Sequence, residues 1–347
     1  MLDILVVGII RNPDEFKATF TYLIQERNRG RVDRIVLSTW KSMADSNADE
    51  LRWCARNGIT VVLSFEPVKT MMGNTWKQHR AILAGLPHVT PDRPILKTRS
   101  DKAMDETRNL VEEFAKTGMT RAAGGTLAYK AICLKLSTSM MFNLSDMAFI
   151  MNAQDLRKFL NCEGYYDVIA VTSTINAEVR MFSWPFVQRY RFVSEIYENF
   201  NIRRISAKLA DSSGSEVPEY LLAAYFSYFR LVRANFRLLR SGARPSEGPL
   251  ERVWQTAPEG LTSKAVLSDG FHLTIKSDEV LTQLAELRFT DSTLKERAEA
   301  ALARVAGLPA DAPFLPLFPI EDMRQFDRTY PGPGPSIRLD PILWTET

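Results

Sequence analysis

"ILVVGIIRNPDE", residues 4–15, is the stretch whose reading decides the fold. "ILVVGII" is a continuous apolar run of strand length. Asn12 and Pro13 follow it at once with an N-cap and a first helical turn. A buried strand that feeds directly into a helix is the start of an α/β unit.

The same alternation continues along the chain. "FKATFTYLIQERNRG" (16–30) has helical spacing, "RIVLSTW" (34–40) reads as a strand, "ADELRWCARNG" (48–58) as a helix closed by Gly58, and "ITVVLSF" (59–65) as a further strand. A helix from about Asn74 to Leu86 then leads to "RPILKTRSD" (93–101). Apolar strands alternating with helices over short connections predict a mostly parallel sheet covered on both faces. The fold class expected is α/β of the Rossmann type, with a mainly helical C-terminal part.

In such sheets ligands bind beyond the carboxyl ends of the strands. The stretches at those ends are Gly8 to Arg11, Ser38 to Trp40, Ser64 to Pro67 and Lys97 to Asp101. In an extended chain Lys97, Arg99 and Asp101 project to one side, because side chains alternate faces. Two cations and a carboxylate there suit a diphosphate with a divalent cation or a sugar hydroxyl. The alternative is a charged strand end that makes salt bridges in solvent.

After a helix near Asp105 to Lys116, "KLSTSMMFNLSDMAFIMNAQDLRKFL" (135–160) contains a β-rich run broken by Ser145-Asp146 and followed by a helix, which predicts another polar strand tip. "PEYLLAAYFSYFRLVRANFRLLR" (218–240) has the spacing of one long helix, with Arg230, Arg233, Arg237 and Arg240 crowding its second half. That half offers a face for core packing, for a second subunit or for anionic lipid at the inner membrane. "SGARPSEGP" (241–249) is a loop, residues 292–306 form a surface helix, and the tail from Leu308 is rich in proline and glycine, above all "YPGPGPS" (330–336).

Composition narrows the function. The 347 residues carry 44 basic and 41 acidic side chains, a balance that gives no support to nucleic-acid binding. Hydrophobic residues at 45% and charged residues at 24% are those of an ordinary folded protein. Three widely spaced cysteines, with no CxxC pair, fit a reducing, cytoplasmic setting. No apolar run reaches the roughly 18 residues of a membrane span.

"VVGIIRN", "VLSTW", "VVLSFEP", "GNTWKQHRAILAGL", "LKTRSD" and "NLSD" occur in this order, and together the set resembles the WavE lipopolysaccharide-synthesis family of glycosyltransferases. The resemblance covers residues 4 to 155 and continues more faintly to "VPEYLLAAYF" (217–226). It implies a GT-A-like fold, a nucleotide sugar as donor and a cell-surface glycan, lipopolysaccharide core or other polysaccharide, as acceptor. It also implies a donor domain over 1–155, an acceptor side and helical part over 156–307, and a tail over 308–347.

Carried onto this chain, the resemblance makes Asp101 the strand-end aspartate and metal ligand, with Lys97 and Arg99 its basic partners. Asn74 and Gln78 match polar positions of the helix they begin, and Ser145 and Asp146 match the "SD" pair. Gly8, Ile9, Arg11, Ser38 and Thr39 complete the donor set. Ser38 and Thr39 also suit capping of the next helix, and Trp40 suits packing at least as well as stacking on a ring.

GT-A sites place two acidic residues around one intervening residue, and here the first of those positions is Arg99. A divalent cation, Mn²⁺ or Mg²⁺, thus has one carboxylate where two are usual, unless basic side chains replace it. A base must take the acceptor hydroxyl proton in an inverting transfer. Asp146 is the first candidate and Glu219 the second, with Glu195 and Glu198 in "VSEIYENF" as competitors. As turn and first-turn residues, Asp146 and Glu219 also have structural readings. Of the three histidines, His79, His88 and His272, the last, in "SDGFHL", reads as a late metal ligand or, more simply for a lone histidine between apolar residues, as a packed one. Two other functions suit the same sheet: a nucleotidyl- or phosphotransferase, and a non-catalytic glycan-binding or assembly protein.

Overall fold

A computed structural model describes residues 1–66, 75–101, 104–137, 141–160, 177–187, 189, 193, 219–239, 253–254, 274–275, 277–288 and 292–306. The expected loop 241–249 and the tail from Leu308 lie outside these residues.

The chain divides into two compact units. The first holds Met1–Ala122, Leu127–Leu134 and Ser145–Asn161; the second holds Ala123–Thr126, Lys135–Leu144 and Cys162–Thr347. The first unit thus runs to Asn161, a few residues past the expected boundary at 155, and two short stretches before it group with the second unit.

In the first unit β1 (Leu2–Val7), β2 (Val32–Trp40), β3 (Thr60–Ser64), β4 (Pro94–Arg99), β5 (Ala131–Cys133) and β8 (Phe149–Asn152) are hydrogen-bonded in the order β3-β2-β1-β4-β8-β5. β1 pairs with β2 and with β4 in parallel, β2 pairs with β3 in parallel, and β8 runs antiparallel to both β4 and β5. The sheet is mixed and mostly parallel, flanked by helices, as the alternation predicts. Every residue of β1 is buried, which a strand covered on both faces requires.

Local chemistry sets the helix positions. α1 (Pro13–Asn28) starts where the Asn12 side-chain oxygen accepts from the Asp14 amide at 3.0 Å. α2 (Ala48–Arg56) ends before Gly58, whose φ of +68° favours glycine. α3 (Thr75–Gly85) lies on β1 and β2 so closely that a Cβ on Gly85 would collide with the Leu5 side chain. The Ser38 hydroxyl donates to the Ala81 carbonyl of that helix at 2.7 Å. α4 (Met104–Thr117) follows β4, and α5 (Ala153–Leu160) follows β8.

In the second unit, β6 (Leu136–Ser137), β7 (Asn143–Leu144), β10 (Val253–Trp254) and β11 (Thr274–Ile275) form a small sheet in the order β10-β11-β6-β7. Its described helices are α6 (Ala177–Val187), α7 (Glu219–Asn235), α8 (Asp278–Ala285) and α9 (Ser292–Ala306), and α7 packs on α8 and α9. α7 is a core helix: Leu222, Ala223, Tyr225, Phe226, Tyr228, Phe229 and Val232 are all buried, and the Phe142 amide donates to the Tyr228 hydroxyl at 2.8 Å.

The run 218–240 is not one helix. It stops at Asn235 and continues as β9 (Phe236–Leu238). The Asn235 amide bonds back to the Leu231 carbonyl at 2.9 Å, and Phe236 and Leu238 are buried on either side of Arg237, a strand's alternation rather than a helix's. Two of the expected free arginines are spent inside the unit. Arg230 donates to the Ala285 carbonyl at 3.2 Å, and Arg233 pairs with Glu286 at 2.6 Å. Among the described residues no helix is long and apolar enough to cross a membrane.

Candidate functional site

β1 is the strand from which the sheet grows both ways, toward β2 on one side and β4 on the other. The carboxyl ends of β1 and β4 therefore flank the point where strand order reverses, the place where open α/β sheets hold ligands. Val7 is in register with Arg99, so Gly8 to Arg11 and Ser100-Asp101 leave the sheet side by side.

Gly8 has φ of +123°, and a Cβ there would meet the Ser100 hydroxyl oxygen at 3.0 Å. Only glycine suits both the angle and the approach. The Ser100 amide donates to the Val7 carbonyl at 3.1 Å and its hydroxyl to the Ile9 carbonyl at 2.8 Å, which ties the two strand tips together. Ser100 is a site residue that the charge pattern of its neighbours hides in the sequence.

Beyond these ties Arg99 grips Asp101 with two parallel bonds, Nε to Oδ1 at 2.8 Å and Nη2 to Oδ2 at 3.0 Å. Arg11 reaches the same carboxylate from β1's end, its Nε 3.4 Å from Oδ2. Burial alone would push the Asp101 carboxyl up, but the Arg99 hydrogen bonds and charge, with Arg11 behind them, hold it below its ordinary value. Asp101 is 7% exposed, while the Arg11 side chain is 55% exposed. Arg11 makes no other hydrogen bond or ion pair among the described residues.

Lys97 sits deeper than Arg99 and Asp101. It is completely buried, its ammonium donating to the Asp146 carbonyl and lying 5.6 Å from the centre of the Phe149 ring. Neither the solvent salt bridge nor a direct diphosphate contact describes it. Its effect is to hold Asp146. Because β8 runs antiparallel to β4, the residues just before β8 fall at β4's carboxyl end, and that topology brings Ser145 and Asp146 to the site.

Asp146 is 8% exposed, and its carboxylate accepts no hydrogen bond and forms no ion pair among the described residues. The other buried carboxylates among the described residues are all engaged: Asp3 with Arg93, Glu26 with Arg29, Asp101 with Arg99, and Asp155 with the amides of Ala128 and Tyr129. A carboxylate that nothing in the fold engages stays open to a ligand or a proton.

The remaining expected residues divide. Ser38 and Thr39 are fully buried within β2, and Ser38 spends its hydroxyl on α3; the Thr39 hydroxyl has no hydrogen-bond partner among the described residues. Trp40 is 2% exposed and is packing. Gln78 is partly buried on α3. His79 is buried; its desolvation brings the imidazole down to about 4 against a hydrogen bond to the Leu160 backbone. Glu219 is the first residue of α7, in the second unit. Asn74, Glu195, Glu198 and His272, and the side chain of Glu219, lie outside the described residues.

Two residues at the neighbouring strand ends are not singled out by the sequence. Phe65, just past β3, is 78% exposed, and the Lys41 ammonium sits 4.0 Å from its ring centre. Within "ITVVLSF" nothing marks Phe65 as the residue that leaves the core.

A hard divalent cation takes six or more oxygen ligands. Both Asp101 oxygens already accept from guanidinium groups, and among the described residues no cluster of three or more His, Cys, Asp or Glu is placed to hold a metal ion. As arranged, these residues do not fit a divalent cation, and Asp101 is a counter-ion to arginine rather than a ligand in waiting.

No protein-family model matches the chain, and no curated protein matches it in sequence.

Proposed function

We propose that the chain is a nucleotide-sugar-dependent glycosyltransferase of the WavE type with a GT-A-like donor domain, moving a sugar to a bacterial cell-surface glycan. The observation that carries this reading is Asp146, placed at the carboxyl end of β4 with a carboxylate that makes no hydrogen bond or ion pair among the described residues, at the same sheet end as the arginine cluster of β1 and β4. A base and a cationic patch at one switch point are what transfer from a phosphate leaving group asks of the protein.

In this reading the bond between the donor sugar's anomeric carbon and the nucleotide's phosphate oxygen breaks, and a bond from that carbon to the acceptor hydroxyl oxygen forms. The hydroxyl proton passes to the Asp146 carboxylate. The nucleotide leaves with its negative charge facing the arginines. Lys97 orients Asp146 through the backbone carbonyl, as a positioning residue.

Incubation of the protein with UDP-, GDP-, CMP- and dTDP-sugars and a lipopolysaccharide acceptor, with nucleotide release as the readout, tests the reading. One donor class turns over, and Asp146→Asn lowers kcat by roughly 10²- to 10⁴-fold at an unchanged melting temperature. No turnover with any donor contradicts it and favours a glycan-binding or assembly role.

A further inference from the structure

We infer that the carboxyl ends of β1 and β4 form a metal-independent phosphate site in which Arg11 is the binding residue and Asp101 a positioning residue. The ligand class, a nucleotide diphosphate, rests on the transferase reading; the site itself rests on the geometry that follows.

Arg11 is held at one point and open elsewhere. Its Nε lies 3.4 Å from Asp101 Oδ2, so the carboxylate draws that edge of the guanidinium toward the strand tip. The two terminal nitrogens have no partner among the described residues, and more than half of the side chain is in solvent. A guanidinium anchored in this way keeps a two-pronged donor edge, the geometry that matches phosphate oxygens.

Asp101 does not cancel the site. Its single charge faces Arg99 and Arg11 together, which leaves one net positive charge at the tip of the two strands. Arg99, clamped by both Asp101 oxygens and with Nη1 donating to Met147 Sδ at 3.5 Å, acts as a fixed positive background.

The α1 N-terminus is not the attraction. Asn12 already caps it, and Asp14 and Glu15 occupy its first turn, so an anion there meets two carboxylates. The charge for a phosphate comes from Arg11, one residue earlier. Arginine thus stands where a divalent cation would otherwise neutralise the phosphates, and the carboxylate that would have held the metal aims the arginine instead.

Isothermal titration of the full chain with inorganic pyrophosphate and with UDP, GDP, CMP and dTDP, each in EDTA and again in Mn²⁺, tests the inference. Binding of pyrophosphate and of at least one nucleotide persists in EDTA, falls tenfold or more in Arg11→Ala, and is partly kept in Arg11→Lys. Asp101→Asn weakens it less than Arg11→Ala does. Circular dichroism and melting temperature confirm that each variant is folded; Arg11 is exposed, so its variants keep the fold.

Binding that appears only with Mn²⁺, is lost in Asp101→Asn and is untouched in Arg11→Ala overturns the inference and leaves the transferase reading standing. Pyrophosphate bound in EDTA through Arg11, with no nucleotide bound, keeps the phosphate site and removes the transferase reading. No binding of any probe in either buffer overturns both.

Discussion

At the amino ends of β1 and β4, Asp3 is fully buried and accepts from the Thr90 amide at 2.6 Å, the Arg34 amide at 3.4 Å and Arg93 at 3.4 Å, while Arg93 also pairs with Asp33. At the carboxyl ends of the same two strands, Asp101 accepts from Arg99 and forms an ion pair with Arg11, which stands mostly in water. Both are aspartate–arginine clusters on neighbouring strands. They differ in where the donors come from. Backbone amides close the amino-end carboxylate, so it is a piece of the core. Beyond its own backbone amide, the carboxyl-end one is closed by side chains, and one of them keeps an open edge. Residue type does not separate a structural ion pair from a binding site; the surplus of unsatisfied donors does.

The largest break in this comparison comes from Asp3→Ala. It strands two backbone donors that the sheet's amino end cannot rearrange to satisfy, and it costs about 3 kcal/mol of stability. Urea unfolding reads that loss directly, with phosphate binding to the folded fraction unchanged. A loss as small as that of an ordinary surface substitution, within about 0.5 kcal/mol, removes the structural half of the contrast.

A smaller effect separates the carboxyl end by pH. The Asp101 carboxyl sits below its ordinary value of 3.8, so its contribution is fully present above that pH and is lost as pH falls through the lower, folded value. Unfolding midpoints of wild type and Asp101→Asn taken from pH 5 to pH 2 therefore converge below pH 3.8. A gap that stays constant down to pH 2 means that Asp101 is not charge-paired in the folded protein.

Much of the fold is legible in the sequence because burial on both faces writes itself as uninterrupted apolar runs, and "ILVVGII" with Asn12-Pro13 behind it leaves little else to build. The strand order and the register of β1 on β4, which juxtaposes Gly8 and Ser100, are one step further away, because alternation names the strands without saying which pair. The fate of Lys97 is not legible. A cation at a strand end reads as exposed unless its acceptor is known, and the acceptor is the carbonyl of Asp146, 49 residues on, delivered by an antiparallel strand. The end of α7 is hidden for a similar reason. "RANFRLL" carries helical spacing as well as strand alternation, and Asn235, by bonding back to Leu231, marks the break only once the chain is folded.

In the proposed reading the ligand of this protein sits where β1 and β4 leave the sheet. Hydrogen–deuterium exchange of the full chain with UDP-, GDP-, CMP- and dTDP-sugars, added one at a time, tests it most directly. One donor class slows exchange in the peptides spanning Gly8–Arg11 and Arg99–Asp101, and this protection disappears in Arg11→Ala. Protection confined to peptides of the second unit, or none in these two segments with any donor, contradicts it.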